Sequence, residues 1–216
     1  ATVALHALRQ AKFTAGKRVA VLGCGIIGLY VIQWAKLLGA SSVTAIGRGE
    51  AGLNAAQELG ADSCLSTKGI TDEELLQKLE QRGYDYVIES SGATQTIQLS
   101  FKIVAKKGTI CLIGTPKKEL TFSVSLWEQI NRKECWVTGS WMSYSAPFPG
   151  EEWKITVDYM KSKKLKFNME IPHQMYCMSY AALAFQEVQS KKISGRMLLK
   201  NPETRYGSGV YGESYE

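Results

Sequence analysis

The sequence predicts an α/β protein built on a doubly wound, parallel, six-stranded sheet. From Lys17 onward, segments with strand character alternate with segments of helical periodicity. The strand segments, such as "RVAVL" and "YDYVI", are nearly continuous apolar runs, which is typical of parallel strands covered on both faces. A glycine-rich turn joins the first strand to the helix after it, and this turn favours the same fold class.

Six strands and five intervening helices are predicted between Lys17 and Trp141. The strands, in chain order, are "RVAVLG", "SSVTAIG", "DSCLS", "YDYVIES", "GTICLIG" and "CWVTGSW". The helices are "GLYVIQWAKLLG", "AGLNAAQELG", "TDEELLQKLEQRG", "TQTIQLSFKIV" and "VSLWEQINRK". Glycines end the first two helices, and Thr71 with Glu74 gives the third helix a capping-box start. Beyond the sheet, helices are predicted at "EEWKITVDYMKSKK" and "YAALAFQEVQSKK", and a last strand at "GRMLLK".

The turn "GCGIIG", from Gly23 to Gly28, has the Gly-x-Gly-x-x-Gly pattern between a buried strand and a helix. Gly23 permits the tight turn, Gly25 lets a pyrophosphate approach the backbone, and Gly28 lets the helix pack close to the strand. The first helical turn, at Ile26 and Ile27, offers free N–H groups to the anion. The pattern predicts a Rossmann dinucleotide-binding domain, with a glycine-rich turn in a nucleotide-free protein as the alternative.

The end of the second strand carries the signal for the choice between NAD and NADP. Nineteen residues after Gly28 stands Gly47, where NAD-binding proteins carry Asp or Glu on the ribose, and Arg48 follows. Without that carboxylate nothing repels a 2′-phosphate, and an arginine can pair with it. The sequence therefore favours NADP over NAD. Alternatively, Arg48 is a surface charge and Glu50 holds the ribose.

Composition and charge exclude several classes of protein. The 216 residues are 45% hydrophobic, which is ordinary for a globular chain. No apolar run reaches the roughly 18 residues that cross a bilayer, and the N-terminus lacks a signal-peptide pattern, so we expect a cytoplasmic protein that does not enter membranes. The five cysteines are scattered, as expected for reduced thiols.

The net charge of +6 favours an anionic ligand. The basic clusters, of which "KSKKLKF" is the longest, lack both the interleaved aromatic residues of a single-strand binder and the spacing of a helix-turn-helix. We therefore expect no nucleic-acid partner, and a phosphorylated small molecule suits the charge better.

Four stretches of the sequence resemble one known family: "TVALHAL", "VAVLGCGIIGLYVIQWAKLLGA", "GTICLIGTPKKEL" and "RKECWVTGSWMSYSAPFPGEEW". Through them, about residues 1–200 resemble the C-terminal part of zinc-type, medium-chain alcohol dehydrogenases, and most specifically their polyol branch. The resemblance implies hydride transfer between the nicotinamide C4 of NAD(P) and a secondary alcohol carbon. The substrate implied is a sugar alcohol or a polyol phosphate such as galactitol 1-phosphate.

The resemblance also implies cofactor contacts at the ends of the later strands. In chain order these are Val3, Ser90, Ser91, Gly92, Ile113, Gly114, Thr115, Gly139, Ser140, Trp141 and Arg196. Arg196 would reach the pyrophosphate, and the residues after the fifth and sixth strands would lie beside the nicotinamide. Val3, in the N-terminal helix, would also lie near the nicotinamide. Members of the polyol branch usually carry Asp where Gly47 stands, so their NAD specificity does not transfer to this chain.

No zinc ligand and no catalytic residue are assigned within this chain. In the family, the catalytic zinc is held mainly by an N-terminal domain through Cys, His and Glu, and that Glu typically precedes a segment like "ATVALH". His6, on an apolar helix, and His173, beside Pro172, are interpreted as structural. Tyr144 and Ser145 either contact substrate or are only polar loop residues. Alone, the chain is expected to bind dinucleotide and to turn over slowly or not at all.

Four segments are predicted along the chain. Residues 1–12 form a helix between domains, and 13–141 form the Rossmann domain. Residues 142–200 form the C-terminal part of an incomplete catalytic domain, and 201–216 form a disordered tail. In relatives the last sheet strand, here about Cys135–Ser140, pairs across a dimer, so we expect a homodimer or homotetramer through the sixth strand. Alternatively, the apolar "CWVTG" belongs to a core strand.

Two other functions remain open. One is a non-catalytic module that responds to dinucleotide occupancy. The other is a zinc-free NADPH-dependent quinone or enoyl reductase of the same superfamily, which Gly47 and Arg48 favour and the "GSWMSYS" run disfavours.

Overall fold

The computed structural model describes residues 1–141, 150–166, 173–190 and 196–201. Its contacts divide the chain into two compact units, Ala1–Pro172 and His173–Glu216. Tyr144, Ser145 and all of the predicted tail except Asn201 lie outside the described residues.

The first unit is built on a parallel six-stranded sheet. Its strands are β1 Arg18–Leu22, β2 Ser42–Gly47, β3 Ser63–Ser66, β4 Tyr84–Glu89, β5 Val104–Leu112 and β6 Trp136–Gly139. They lie in the order β3-β2-β1-β4-β5-β6, and every neighbouring pair is parallel. This is the strand order of doubly wound dinucleotide-binding domains, so the predicted fold class is confirmed.

Helices connect the strands and cover the sheet. They are α1 Thr2–Gln10, α2 Ile26–Leu37, α3 Glu50–Glu58, α4 Asp72–Lys78, α5 Thr94–Ile103, α6 Val124–Trp127, α7 Gln129–Lys133 and α8 Glu151–Lys161. The capping box of α4 is confirmed, because Thr71 Oγ1 accepts from the Glu74 amide at 3.2 Å and Glu74 Oε2 accepts from the Thr71 amide at 2.7 Å.

Two elements differ from the sequence prediction. The predicted helix "VSLWEQINRK" is the short pair α6 and α7, because the backbone at Glu128 has ψ −9° and interrupts the helical geometry. Strand β5 begins at Val104 rather than at Gly108. Its pairing with β4 shifts between Tyr84 and Tyr86, and Lys107 takes a positive φ of 60° at this irregularity.

Alternate residues of β1 enter two separate hydrophobic layers. Val19 and Val21 pack on the side of the sheet that holds α1, α2 and α3, whereas Ala20 and Leu22 pack on the side that holds α4 and α5. All four of these β1 side chains are fully buried. Burial on both faces explains why the strands read as continuous apolar runs rather than as alternating ones.

Helix α8 packs within the first unit. The ring of Tyr159 lies 4.9 Å from the ring of Trp34, and Leu165, just after α8, is 1% exposed in the α1–α2 layer. The compact units divide after Pro172, and the predicted end of the Rossmann domain at residue 141 stays a prediction. The assignment of 142–200 to a catalytic domain stays a prediction.

The second unit has its own small sheet. Strand β7 (His173–Cys177) pairs in parallel with β8 (Arg196–Lys200). A short 3-10 helix (Met178–Tyr180) and α9 (Ala181–Gln189) follow β7 in the chain. Strand β8 and α9 were predicted from the sequence, whereas β7 was not.

The carboxyl ends of five strands form one row across the larger sheet. Leu22 pairs with Ile46 on one side and with Glu89 on the other, Glu89 pairs with Leu112, and Leu112 pairs with Gly139. The loops after these strands therefore meet at the edge of the sheet where doubly wound folds bind their ligands.

Candidate functional site

The glycine turn lies at the centre of this row and requires two of its glycines for its shape. Gly23 has φ +101°, and its amide donates to Ile46 O at 2.8 Å, which fastens the turn to β2. A Cβ on Gly28 would stand 1.8 Å from Gly23 O and 3.0 Å from Ser90 Oγ. Only glycine at 28 therefore lets α2 begin this close to the end of β1, as the sequence predicted.

Gly25, by contrast, faces open space. It is exposed, and a Cβ placed on it would meet nothing within 4 Å. Gly25 is the N-cap of α2, whose N-terminus has no side-chain cap and no acidic residue in its first turn. The backbone N–H groups at Ile26 and Ile27 therefore border an open cradle at the positive end of a twelve-residue helix. These features fit a dinucleotide pyrophosphate.

Gly47 and Arg48 lie at the end of β2, beside the glycine turn. Gly47 is buried, whereas Arg48 is exposed and makes no hydrogen bond or ion pair with any residue that the structure describes. Glu50, the alternative ribose ligand, is the exposed first residue of α3. The guanidinium of Arg48 is thus available to an anion.

Glu89, at the end of β4, holds the next loop in place, and sequence reasoning missed it. Its side chain is fully buried. Carboxylate oxygen Oε1 accepts from the Ser91 amide at 2.9 Å, the Ser91 hydroxyl at 2.7 Å, the Thr96 hydroxyl at 2.9 Å and the Gly92 amide at 3.1 Å. The only signal in the sequence is one acidic residue at the end of the apolar run "YDYVIE".

Ser90 and Ser91 use their hydroxyls to build the loop. Ser90 Oγ donates to the carbonyls of Leu22 and Gly23, both at 3.1 Å, while Ser91 Oγ is engaged by Glu89. Both serines lie beside the glycine turn, since a Cβ on Gly23 would stand 3.0 Å from Ser90 Oγ and 3.0 Å from Ser91 Cβ. Their cofactor contacts stay a prediction, and the hydrogen bonds assign them a role in shaping the turn.

The loops after β4 and β5 approach so closely that both need glycine. A Cβ on Gly114 would stand 2.1 Å from the Gly92 amide, and a Cβ on Gly92, which has φ +68°, would stand 2.4 Å from Thr115 O. The amides of Ile113 and Gly114 donate to the backbone carbonyl of Glu89 at 2.8 and 3.1 Å. Glu89 thus organises both loops.

An open pocket of about 550 Å³ lies between α1 and the ends of β5 and β6. It is lined by His6, Gln10, Leu112, Ile113, Gly114, Thr115, Pro116, Gly139, Ser140 and Trp141. The pocket brings together six of the seven residues that were predicted to lie near the nicotinamide, all except Val3. Ser140 is 6% exposed, and its hydroxyl has no hydrogen-bond partner among the described residues.

Two predicted residues lie outside this arrangement. Val3 is not among the residues that line the pocket. Arg196 begins β8 in the second unit, and its side chain lies outside what the structure describes. Their cofactor contacts stay predictions.

His6 lies at the pocket wall in contact with a buried carboxylate. Its Nδ1 is 3.0 Å from Glu152 Oε1 on α8, and its Nε2 is 3.4 Å from Gln10 Nε2. A neutral His6 that donates from Nδ1 would satisfy both contacts, because Nε2 would then accept from the amide of Gln10. The guanidinium of Arg9 lies 3.6 Å from the same carboxylate of Glu152 and adds a positive charge beside it. The contact between His6 and Glu152 links α1 to α8, which agrees with the structural interpretation of His6.

Glu152→Gln is expected to reduce the free energy of unfolding by about 1–3 kcal/mol at neutral pH, because it removes the charged acceptor of a buried hydrogen bond. Burial alone would raise the pKa of Glu152, but the hydrogen bond from His6 and the charge of Arg9 outweigh it and lower the pKa below 4.5. A lowered folded-state pKa stabilises the fold above the unfolded value, and this stability is lost as the pH falls through the folded value.

Urea unfolding should therefore show a difference in free energy of unfolding between the wild type and Glu152→Gln that is full at neutral pH and shrinks as the pH falls below about 4.3, the ordinary pKa of a glutamate. Glu151→Gln is the matched control, because exposed Glu151 forms an ion pair with the half-exposed Arg9. Loss of this surface pair should reduce the free energy of unfolding by less than about 1 kcal/mol. Equal costs for the two variants, or a gap independent of pH, would contradict the prediction.

Two further properties concern metals and membranes. Among the described residues, no three His, Cys, Asp or Glu side chains come together as a metal site. In the same part of the chain, none of the helices has the length and apolar character required to span a bilayer.

Comparison with known proteins adds the following. Residues 27–161 match the family described as zinc-binding dehydrogenases. The chain is 34% identical over 199 residues to galactitol 1-phosphate 5-dehydrogenase of Escherichia coli (strain K12), and the match covers 92% of this chain and 57% of that relative. The crystal structure of galactitol-1-phosphate dehydrogenase from Escherichia coli matches with a TM-score of 0.80 at 32% identity, over 91% of this chain and 57% of that chain.

A more distant structure shares the fold alone. A protein described as a zinc-binding dehydrogenase, from Sinorhizobium meliloti 1021 and bound to NADP, matches with a TM-score of 0.73 at 24% identity, over 85% of this chain and 52% of that chain. The chain thus spans little more than half the length of the relatives it matches.

Proposed function

The chain belongs to the zinc-binding dehydrogenase family, as its resemblance predicted, and from this premise we propose that it is the cofactor-binding half of an NAD(P)-dependent oxidoreductase. The observation that carries the proposal is the open cradle at Gly25, formed where Gly28 lets α2 begin against the turn at Gly23. A turn of this shape at the centre of a doubly wound sheet fits a dinucleotide pyrophosphate.

The proposed reaction transfers hydride between the cofactor and a secondary alcohol carbon of a sugar alcohol or polyol phosphate. The identity to the Escherichia coli relative supports galactitol 1-phosphate as the first substrate to examine. The net charge of +6 is compatible with a phosphorylated substrate. Calorimetry with galactitol 1-phosphate and with galactitol, each in the presence of NADP, tests this choice. Tighter binding of the phosphate ester supports it, and equal binding contradicts it.

Residues of this chain would bind and orient the cofactor. The N–H groups at the start of α2 would hold the pyrophosphate. The pocket beside Gly114, Ser140 and Trp141 would receive the nicotinamide, with the unpaired Ser140 hydroxyl as a polar partner. When bound, NAD(P) supplies the hydride acceptor or donor at nicotinamide C4. The loops fixed by Glu89 would keep this pocket rigid.

Zinc is not assigned to this part of the protein. The described residues hold no cluster of three or more His, Cys, Asp or Glu side chains, so they do not fit the zinc that the family name implies. The proposal assigns the polarisation of the alcohol to residues beyond the described ones. We therefore expect cofactor binding by these 216 residues, with slow turnover or none.

NADP is the proposed cofactor, because Arg48 stands exposed beside a strand end that carries no carboxylate. Arg48→Ala should weaken NADPH binding about 10- to 100-fold, the loss expected for one charge-assisted contact, and should leave NADH binding unchanged. Arg82→Ala is the matched control, since Arg82 is also exposed but lies before β4, at the opposite edge of the sheet. Calorimetry on the three proteins measures both nucleotides, and an Arg48→Ala variant with unchanged NADPH affinity would contradict the assignment.

Association through β6 is also proposed. β6 is an edge strand, and its residues Trp136 and Val137 are 67% and 41% exposed. An exposed apolar edge strand favours pairing with a second copy. Light scattering on the wild type and on Val137→Lys tests for a homodimer or homotetramer that the charge dissociates.

A further inference from the structure

Cys24, the first variable residue of the glycine turn, fills the space in which a side chain at position 47 would begin. A Cβ on Gly47 would stand 2.8 Å from Cys24 Sγ, 3.3 Å from Cys24 Cβ and 3.5 Å from Leu53 Cδ2. Contacts between unbonded carbon atoms are favourable at about 3.5–4.0 Å, so the approach to the thiol is too close. A side chain at 47 therefore requires the Cys24 thiol to rotate away, and the 3.3 Å contact with Cys24 Cβ remains after that rotation.

The backbone around Cys24 has little freedom to move away from Gly47. On the side of α3, a Cβ on Gly52 would stand 2.7 Å from Cys24 O and 3.1 Å from Cys24 Cβ, so the helix already packs directly against Cys24. On the other side, the amide of Gly23 is fastened to Ile46. Relief of a clash at 47 requires the thiol to rotate or α3 to shift.

Cys24 contributes volume here rather than charge. Burial, with a smaller contribution from Cys64, raises the pKa of Cys24 to about 12, so the thiol stays neutral at physiological pH. A neutral group neither repels a 2′-phosphate nor competes for Arg48. An acidic residue at 47 would repel a 2′-phosphate and would accept hydrogen bonds from the ribose hydroxyls of NAD.

We propose that Cys24 is a specificity-determining residue, because its side chain excludes a carboxylate from position 47 and thereby keeps the site open to a dinucleotide with a 2′-phosphate. This inference rests on the proposed function. It explains why the glycine at 47 and the cysteine at 24 occur together in this chain. Removal of the thiol should create the space that an acidic residue needs.

The test is a double-mutant cycle of Cys24→Ala and Gly47→Asp, with NADPH and NADH affinities measured by calorimetry and thermal unfolding followed by circular dichroism. Gly47→Asp alone should lower the melting temperature and weaken the binding of both nucleotides. In the double variant the melting temperature should recover. The ratio of NADH affinity to NADPH affinity in the double variant should exceed that of the wild type by about 100-fold or more. The new carboxylate at 47 would repel the 2′-phosphate and offset the attraction of Arg48 for it.

Cys64→Ala combined with Gly47→Asp is the control. Cys64 lies on β3, its thiol donates to Leu53 O, and it is not among the nearest atoms to a Cβ on Gly47. It should rescue neither the melting temperature nor the binding of NADH. If Gly47→Asp alone changes the preference as fully as the double variant, or if the double variant fails to fold, the role of Cys24 is overturned while the proposed function stands. If the folded wild type binds neither nucleotide, the proposed function fails as well.

Discussion

Gly28→Ala is expected to destabilise the chain by about 3 kcal/mol and to abolish dinucleotide binding. The added Cβ would lie 1.8 Å from Gly23 O, and a backbone carbonyl cannot move aside as a side chain can. Either α2 retreats from β1 or the turn opens, and both movements strain packed surroundings at the cost typical of overpacking. Urea unfolding measures the loss of stability, and calorimetry with NADPH measures the loss of binding.

Gly25→Ala separates binding from folding at the same turn. The added Cβ would meet nothing within 4 Å. The free energy of unfolding of this variant should therefore fall by no more than about 1 kcal/mol, the cost of alanine at a helix N-cap. Its NADPH affinity should nevertheless fall about 100-fold or more, since the methyl group would occupy the cradle assigned to the pyrophosphate.

The control for Gly25→Ala is Gly49→Ala, the N-cap of α3. Gly49 has the same extended backbone and the same open surroundings, so its change in stability should match. Wild-type NADPH affinity in Gly25→Ala would contradict the placement of the pyrophosphate. A stable Gly28→Ala protein that binds NADPH would contradict the account of the turn.

Glu89→Gln is expected to lower the free energy of unfolding by about 2–4 kcal/mol, the range for weakening several hydrogen bonds to one buried charge. Oε1 of Glu89 accepts four hydrogen bonds from Ser91, Gly92 and Thr96, and an amide oxygen accepts them less strongly than a carboxylate. The amide NH2 would also face the N–H of Gly92, which lies 3.2 Å from Oε2.

The measurement for Glu89 is urea unfolding at pH 7, with Glu58→Gln as the control. Glu58 is exposed at the end of α3, and its substitution should change stability by less than about 0.5 kcal/mol. NADPH affinity should also fall in Glu89→Gln, because the loops that line the pocket proposed for the nicotinamide lose their common anchor. Equal stabilities of the two variants would contradict the role of Glu89.

The fold could be predicted from the sequence because its signals are local. The central strands β1 and β4 are largely apolar runs, and Thr71 with Glu74 marks a helix start within four residues. The break at Glu128 and the early start of β5 could not be predicted, because they depend on how the chain packs against neighbouring elements. Strand β7 was missed for a similar reason, since its short sequence becomes a strand only beside β8.

The candidate site divides in the same way. The glycine turn and the Gly47–Arg48 pair are local patterns, and the sequence identified them. The contact of Cys24 with Gly47 and the pairing of His6 with Glu152 join residues far apart in the chain. Glu89 carries a local signal, a charge that ends an apolar strand, but only its burial shows that it organises two loops.

The most direct test of the account is calorimetric titration of the folded 216-residue chain with NADPH and, separately, with NADH. The account predicts saturable binding, about 10- to 100-fold tighter for NADPH, as expected if Arg48 contacts the 2′-phosphate. Absence of binding by either nucleotide would contradict the assignment of the glycine turn as a dinucleotide site.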